Sequence, residues 1–231
     1  MIATFINCAT VLLGSLLGLL LHKKITESFK RIVYTGAGLV AMVLGMRMAF
    51  STTKIVFLAL ALILGGILGE WWKIEGGILK LGEFLKNRFA RNESGKDFSY
   101  GFLNASVLFC VGAMTLVGAF KAGAEGDYEL ILTKSVMDGF MAVMLTAAMG
   151  IGVAFSALTI LFYQGGITLL ANQLKPLVND LLLGELTGIG GVLVLMIGIN
   201  LLGLSKIKTA NYLPALLLII ILVALGPLIP F

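Results

Sequence analysis

The sequence predicts an all-α polytopic integral membrane protein with about eight transmembrane helices, organised as a single membrane domain over residues 1–231. Two observations support this prediction. The 231 residues are 59% hydrophobic and only 13% charged, and the mean hydropathy is +1.04. A soluble domain carries about 25% charged residues. The chain therefore needs lipid around it.

Eight apolar segments each approach the length of about twenty residues that a helix needs to cross a bilayer. The weakest division falls at residues 149–153, which must turn without any polar residue. One long helix or a re-entrant hairpin is the alternative there, because irregular backbone is tolerated where protein buries it. The predicted spans are 3–21, 32–50, 54–71, 100–120, 129–149, 151–171, 185–203 and 209–228.

The basic residues between these segments predict the orientation. With the N-terminus outside, twelve of them lie in cytoplasmic loops and three in outer loops, while Arg47 and Lys134 lie within spans. This bias predicts that both termini are outside. Fusing the spans on either side of residues 149–153 would turn Lys206 and Lys208 outward, so the charge rule favours eight spans over seven. Topology also accounts for the net charge of +5, and no nucleic acid is expected as a partner.

Residues 72–98 are predicted to form a cytoplasmic amphipathic helix followed by a linker. Apolar residues recur at helical spacing, with basic and acidic residues between them. A helix with this pattern lies on the membrane interface, where its basic residues suit anionic lipid. The apolar positions are Ile74, Ile78, Leu81, Leu85 and Phe89, and the linker is residues 90–97.

The chain contains an apparent internal repeat of opposite orientation. Thr35-Gly-Ala-Gly38 and Thr187-Gly-Ile-Gly190 each begin an apolar span, and one inserted residue aligns Gly45 with Gly198. Residues 1–71 (spans 1–3) and 150–231 (spans 6–8) are therefore predicted to be inverted repeats, joined by connector spans within 99–149. Inverted repeats are common in secondary transporters, whose sites lie near the bilayer midplane between the repeats. Chance similarity among glycine-rich membrane helices is the alternative.

Lys134 and Asp138 are the strongest candidates for a functional site. Their spacing stacks both side chains on one helix face, inside an otherwise apolar stretch. A charge at membrane depth costs about 2.5 kcal/mol or more, so such residues usually face a protein interior or a wet cavity. Asp138 is predicted to be a binding or coupling carboxylate and Lys134 its partner. An ion pair that only fixes helix register is the alternative.

Four uncharged amides complete the predicted substrate- or ion-binding set. Gln164 adjoins a pair of glycines and Asn211 lies shortly before Pro214, and broken helices expose backbone groups that can hold an ion or substrate. Interhelical hydrogen bonding alone, worth about 0.6–2 kcal/mol, is the alternative for each of them. The four are Asn104, Gln164, Asn200 and Asn211.

No catalytic constellation, metal site or cofactor motif occurs in the sequence. There is one histidine, and the two cysteines lie far apart in apolar segments. The expected partners are the lipid bilayer and an unidentified small solute or ion, without a cofactor, a metal or an enzyme activity. Gly14-Ser-Leu-Leu-Gly18 and Gly65-Gly-Ile-Leu-Gly69 each place two glycines on one helix face, which allows helix contact or a homodimer.

Several of these motifs resemble the YqgA/YdfK-like family of bacterial membrane proteins, a family of unknown function. The resemblance covers essentially the whole chain and implies a polytopic protein of the bacterial inner membrane, with no assigned activity. Prolines that the family often has after its Cys-Val-Gly and Phe-Ser motifs are replaced here by Ala113 and by residues 157–159. The matching motifs are Gly14-Ser-Leu-Leu-Gly18, Gly65-Gly-Ile-Leu-Gly69-Glu70, Ser106-Val-Leu-Phe-Cys-Val-Gly112, Leu132-Thr-Lys-Ser-Val-Met-Asp-Gly139, Tyr163-Gln-Gly165, Gly190-Gly191 with Gly198-Ile-Asn200, and Ala210-Asn-Tyr-Leu-Pro214.

Together these features predict a small secondary transporter or channel-like protein for an unidentified solute or ion. One alternative is a non-transporting scaffold or complex subunit that docks partners through residues 72–98. A less favoured alternative is a membrane-embedded enzyme acting on lipid. The position of span 129–149 in the bundle distinguishes between a functional and a structural role of the Lys134–Asp138 pair. A site between the repeats requires this connector to pack against their interface, whereas packing at the periphery indicates a structural pair.

Overall fold

The computed structural model describes residues 1–22, 26–89, 95–110, 113–174 and 179–225. These residues form ten α-helices and two short 3-10 helices, and no strand occurs among them, which confirms the predicted all-α class. The 3-10 helices are Ile151–Phe155 and Thr209–Tyr212. The α-helices are α1 (Ile2–His22), α2 (Glu27–Ala49), α3 (Ile55–Trp72), α4 (Ile74–Phe89), α5 (Gly95–Cys110), α6 (Ala113–Ala124), α7 (Glu129–Met149), α8 (Ser156–Leu174), α9 (Asp180–Leu201) and α10 (Pro214–Leu225).

Within the described residues, six helical segments are long and apolar enough to cross a membrane, in α1, α2, α3, α7, α8 and α9. The pair α5 and α6 passes the same test together, but the two helices meet at 58°, so they make a seventh span only if the bent pair counts as one. The eighth predicted segment holds a shorter apolar helix, because α10 begins only at Pro214, after a 3-10 helix. The structure thus supports six or seven of the predicted eight spans.

Small residues make the turn between α7 and α8. α7 ends at Met149, and Gly150 has a φ of +79°, a conformation that glycine adopts without strain. The backbone of Phe98 lies so close to Gly152 that a Cβ at this position would overlap the Phe98 carbonyl oxygen. Glycine rather than polar residues therefore makes the turn, which explains why the sequence carries no polar signal there.

Contacts of α1 establish the directions of α7 and α8. Gly14 of α1 lies against Gly139 of α7, and Gly18, one turn further along, lies against Val143. α1 and α7 therefore run parallel. α8 runs the opposite way, because its residue Gln164 bonds near the start of α1 while the earlier Ala157 bonds further along it. The chain reverses direction at residues 149–155, so α7 and α8 are not one long helix.

Two other helix pairs cross antiparallel at close range. Gly38 of α2 meets Gly198 of α9, and Gly45 of α2 meets Gly191. A Cβ at Gly45 would lie 2.8 Å from the Gly191 carbonyl oxygen, and a Cβ at Gly191 would lie 2.7 Å from the Gly45 carbonyl oxygen. Glycine is needed here because the two backbones are nearly in contact. α3 crosses α10 in the same antiparallel sense.

The glycine motifs that suggested a homodimer contact helices of the same chain. Gly14 and Gly18 pack on α7, while Gly65 and Gly69 pack against Ala215 of α10 and the 3-10 helix before it. Neither motif leaves its glycine face open to a second copy. A homodimer stays a prediction, and it would have to use another surface.

α4 follows α3 directly and corresponds to the predicted amphipathic helix. Leu81, Phe84 and Phe89 are exposed on its outer face, while Gly82 packs against Ser99 of α5. This arrangement fits a helix at a membrane interface. Of the predicted linker, residues 90–94 lie outside the described residues, and α5 begins already at Gly95.

Candidate functional site

Lys134 and Asp138 form an ion pair inside the helix bundle. The i, i+4 spacing on α7 brings the Lys134 Nζ directly against Asp138 Oδ2. The two residues are only 5% and 7% exposed. The Lys134 ammonium also lies 5.9 Å from the centroid of the Phe109 ring, close enough for a cation–π interaction. Lys134 therefore faces protein and does not reach the membrane surface.

Two amides extend this pair into a polar cluster, defined by Thr4, Asn7, Lys134, Asp138 and Gln164. The Asn7 Nδ2 donates to Asp138 Oδ2 at 3.1 Å and to Gln164 Oε1 at 2.9 Å. Gln164 Nε2 donates to Thr4 Oγ1 at 3.2 Å. Asn7 and Gln164 are fully buried, and Asn7 Oδ1 has no hydrogen-bond partner among the described residues. The cluster thus retains one unused buried acceptor.

The polar cluster lies where α1, α7 and α8 meet. α1 belongs to the first segment predicted as a repeat, and α8 belongs to the second. Asn7 on α1 bonds to both of the other helices, so it joins the connector α7 to both segments. The Lys134–Asp138 pair therefore lies where side chains of both segments meet the connector, as its functional interpretation requires, whereas α7 as a whole packs mainly on α1 of the first segment.

A large cavity of about 1490 Å³ lies at the end of the bundle predicted to be cytoplasmic. Its wall comes from α2, the corner between α3 and α4, α5, and the loop between α9 and α10. We call it the charged cavity, because its lining includes Arg31, Glu70, Lys73, Glu75, Glu83, Lys206 and Lys208.

Asn200 and Asn211 build the wall of the charged cavity. Asn200 bonds to both backbone groups of Ile207, donating to its carbonyl at 2.7 Å and accepting from its N–H at 2.8 Å. Asn211 donates to Glu70 Oε2 at 2.6 Å and accepts from the Glu75 N–H at 2.8 Å. Because these bonds hold the loop after α9 in place, the two amides have a structural role.

Asn104 has a different environment in the same wall. It is 8% exposed, and its side-chain amide has no hydrogen-bond partner among the described residues. The hydroxyl of Ser99, also in the wall, is buried without a partner in the described part of the chain. Buried polar groups are normally hydrogen-bonded. Asn104 is therefore the amide in this cavity that is available to a solute.

The unpaired charge of the cavity is mainly positive. Lys208 Nζ lies 2.6 Å from Glu70 Oε1, and this hydrogen bond raises the pKa of Lys208. Burial raises the pKa of the Glu75 carboxyl, although its Oε2 accepts a hydrogen bond from the Ala210 N–H at 3.2 Å. Among the described residues, the acids Glu75 and Glu83 have no ion-pair partner, and the same holds for the three cations Arg31, Lys73 and Lys206.

The six predicted site residues thus fall into two groups. Lys134, Asp138 and Gln164 meet in the polar cluster, whereas the three asparagines Asn104, Asn200 and Asn211 line the charged cavity. Asn7 was not among the predicted site residues. The feature that could have identified it from the sequence is an amide side chain in the otherwise apolar start of α1.

Glu185 is a second buried acid, which the sequence placed at the start of a span. It is fully buried near the start of α9 and accepts hydrogen bonds from the Thr53 N–H at 2.7 Å and the Lys54 N–H at 2.9 Å. These N–H groups precede α3, where a helix start favours a negative charge. Glu185 therefore joins the loop before α3 to α9 and does not contribute to either site.

The described part of the chain contains six membrane-length helices and a bundle with buried polar residues, which define a multi-pass helical membrane protein. Residues 2–224 match the family described as "Protein of unknown function (DUF554)", and the chain belongs to that family. The resemblance inferred from the sequence motifs is thereby confirmed.

Two relatives match almost the whole chain. The "Uncharacterized membrane protein YdfK" of Bacillus subtilis (strain 168) is 32% identical over 223 residues, which cover 94% of this chain and 93% of the relative. The "Uncharacterized protein YqgA" of Escherichia coli (strain K12) is 28% identical over 220 residues, which cover 94% of each. No solved structure matches.

Proposed function

We propose that the protein is a small secondary transporter or channel-like protein of a bacterial inner membrane, with both termini outside. The charged cavity is the observation on which this proposal rests. Its volume of about 1490 Å³ exceeds the range of about 300–1,000 Å³ that is common for small-molecule sites. Its wall includes the side-chain amide of Asn104, which has no hydrogen-bond partner among the described residues. In this proposal the cavity is the solute entrance from the cytoplasm.

The directions of the helices support an inverted-repeat architecture. The helices that the repeat makes equivalent are α1 and α8, α2 and α9, and α3 and α10, and each pair is in antiparallel contact. The motif alignment places Gly38 opposite Gly190 and, after one inserted residue, Gly45 opposite Gly198. Exchanging α2 and α9 then turns the Gly38–Gly198 contact into one between Gly45 and Gly190, one residue from the observed Gly45–Gly191 contact. This near-reciprocity is what a two-fold axis between inverted repeats would produce.

The polar cluster is proposed as the coupling site, closed in this conformation. Lys134 and Asp138 lie on one helix, so their ion pair moves with α7 as a unit. The bond from Asn7 to Gln164 joins α1 to α8, so separating these helices must break it. Such a separation would expose the Asp138 carboxylate and the free Asn7 acceptor to an ion or solute. Charged groups at membrane depth commonly mark such pathways.

Solute flux in membrane vesicles tests this proposal. Inverted vesicles with the wild-type protein, the K134M/D138N variant or the S135A variant would be loaded with a cell extract, and retained solutes would be measured by mass spectrometry. The double variant removes both charges together, which preserves folding far better than removing one. S135A is the matched control, because Ser135 is a buried neighbour that bonds only to its own helix backbone.

We expect the retained amount of at least one solute to differ between wild-type and protein-free vesicles. Vesicles with S135A should show the same difference, whereas vesicles with K134M/D138N should match the protein-free vesicles. Identical contents in wild-type and protein-free vesicles would refute transport. Full activity of the double variant would instead leave the pair with a structural role only.

A further inference from the structure

A second cavity, of about 580 Å³, lies beside the charged cavity and is almost entirely apolar. We call it the apolar groove. Its floor is formed by buried residues such as Phe102 and Val107 of α5, and its rim by exposed residues such as Leu81 of α4 and Leu217 of α10. The Ser106 and Thr159 hydroxyls in its wall bond to each other at 2.9 Å. The groove therefore suits a hydrocarbon chain and not a polar solute.

The two cavities are neighbours. Leu103 of α5, only 2% exposed, lines both of them. On α4, Ile78 lines the apolar groove and the next residue, Leu79, lines the charged cavity. Leu103 is therefore a shared wall between the charged cavity and the apolar groove.

The charges of the first cavity indicate the head group. Arg31, Lys73 and Lys206 line it without an ion-pair partner in the described part of the chain, against the two unpaired acids Glu75 and Glu83. Arginine and lysine bind carboxylate and phosphate groups through charge-assisted hydrogen bonds. A soluble anion alone would leave the adjoining groove unused, and a bilayer chain alone would not use the cations. An amphiphile uses both.

We propose that the protein binds a single-chain amphiphile with an anionic head group, with the head in the charged cavity, the chain in the apolar groove and Leu103 between them. The proposal that such an amphiphile is the substrate rests on the proposed transport function, whereas its binding can be measured without transport.

Photolabelling in phosphatidylcholine nanodiscs tests the proposal. The probe is lysophosphatidic acid with a diazirine in its acyl chain, and the labelled positions are mapped by mass spectrometry. We expect saturable labelling at the groove, including Leu81 and Leu217. Unlabelled lysophosphatidic acid should compete with the probe, whereas lysophosphatidylcholine and inorganic phosphate should not.

Matched variants separate the two parts of the site. R31Q/K206Q should raise the concentration for half-maximal labelling by about tenfold, equivalent to about 1.4 kcal/mol. R47Q/K54Q, which removes two exposed basic residues at the opposite end, should leave it unchanged. L103W should block labelling and V43W, on the exposed face of α2, should not. If L103W fails to fold, L103A should still be labelled, because it widens the junction.

Two results would overturn the proposal. Labelling that does not saturate and is equal at the exposed faces of α1 would mean ordinary bilayer contact only. Competition by inorganic phosphate would mean that a free anion occupies the charged cavity. The transport proposal fails separately. Saturable labelling without any flux would support the amphiphile site and refute transport. Flux of a chain-free solute without labelling would support transport and refute the amphiphile site.

Discussion

Lys134 and Asp138 stabilise the protein only as a pair. Both are nearly fully buried, so removing one charge leaves the other unpaired in the bundle. We expect D138N to lower the free energy of unfolding by about 3–5 kcal/mol, and K134M/D138N to recover most of that loss. Denaturant unfolding in detergent micelles measures both. E70Q, at the exposed pair with Lys208, should have a much smaller effect than D138N. A D138N protein as stable as the wild type would contradict this account.

The asparagines of the charged cavity should separate into structural and solute-binding residues. N200A leaves the Ile207 N–H unbonded and removes one of the donors to the Ile207 carbonyl, so it should cost about 1–3 kcal/mol of stability. N104A removes an amide without a partner and should leave thermal stability nearly unchanged while reducing flux. Thermal unfolding and vesicle flux check the two variants side by side. A stable N200A protein together with an unstable N104A protein would reverse the assignment.

Sequence spacing identified the residue pair but not its surroundings. The i, i+4 rule predicted the Lys134–Asp138 contact, because it depends only on the geometry of one helix. The hydrogen bonds from Asn7 reach Asp138 and Gln164, which lie 131 and 157 residues further along the sequence. No local pattern specifies such partners. The same holds for Asn104, whose interest lies in having no partner, a property of the folded bundle alone.

Among the helices, the crossing of α2 and α9 depends on glycine. G45A would place its Cβ within 3 Å of α9 backbone atoms, which cannot move aside as a flexible side chain can. We expect G45A to lower the thermal unfolding temperature clearly. G166A is the matched control within a span, since nothing lies within 4 Å of its Cβ position, and it should be neutral or slightly stabilising. Equal effects of the two substitutions would argue against a close crossing.

The corner between α3 and α4 should respond to pH through Glu75. Burial raises the pKa of this carboxyl, so the folded protein binds the proton more tightly than the unfolded chain. Between the usual value of about 4.3 and the raised one, stability therefore increases as the pH falls and decreases as it rises. E75Q should remove this component from the pH dependence of the unfolding temperature. An unchanged pH profile in E75Q would show that Glu75 is not its source.

Hydropathy located the helices better than it counted the spans. Segments 3–21, 54–71 and 129–149 match α1, α3 and α7 within a few residues, because a continuous apolar run largely determines a membrane helix. Segment 100–120 lies instead across the bend between α5 and α6. Hydropathy measures how apolar a segment is and not whether its helix continues straight, so it does not reveal this bend.

For the whole molecule, the split of the candidate site is the main difference from the sequence prediction. The six residues were predicted as one substrate- or ion-binding set, but three lie in the closed polar cluster and three in the open charged cavity. A transporter requires a closed region beside an open one when alternate sides are exposed in turn. The separation is thus consistent with one pathway open at one end.

Side-specific labelling at Asn104 tests this pathway most directly. With Cys8 and Cys110 replaced by alanine, N104C and S135C would each be treated with a membrane-impermeant maleimide in inside-out and right-side-out vesicles. Ser135, 1% exposed beside Lys134, is the buried control. We expect N104C to react in inside-out vesicles and to be protected in right-side-out vesicles, with S135C much slower in both. An N104C that is inert in inside-out vesicles, or that reacts only from the opposite side, would contradict a cytoplasmic entrance.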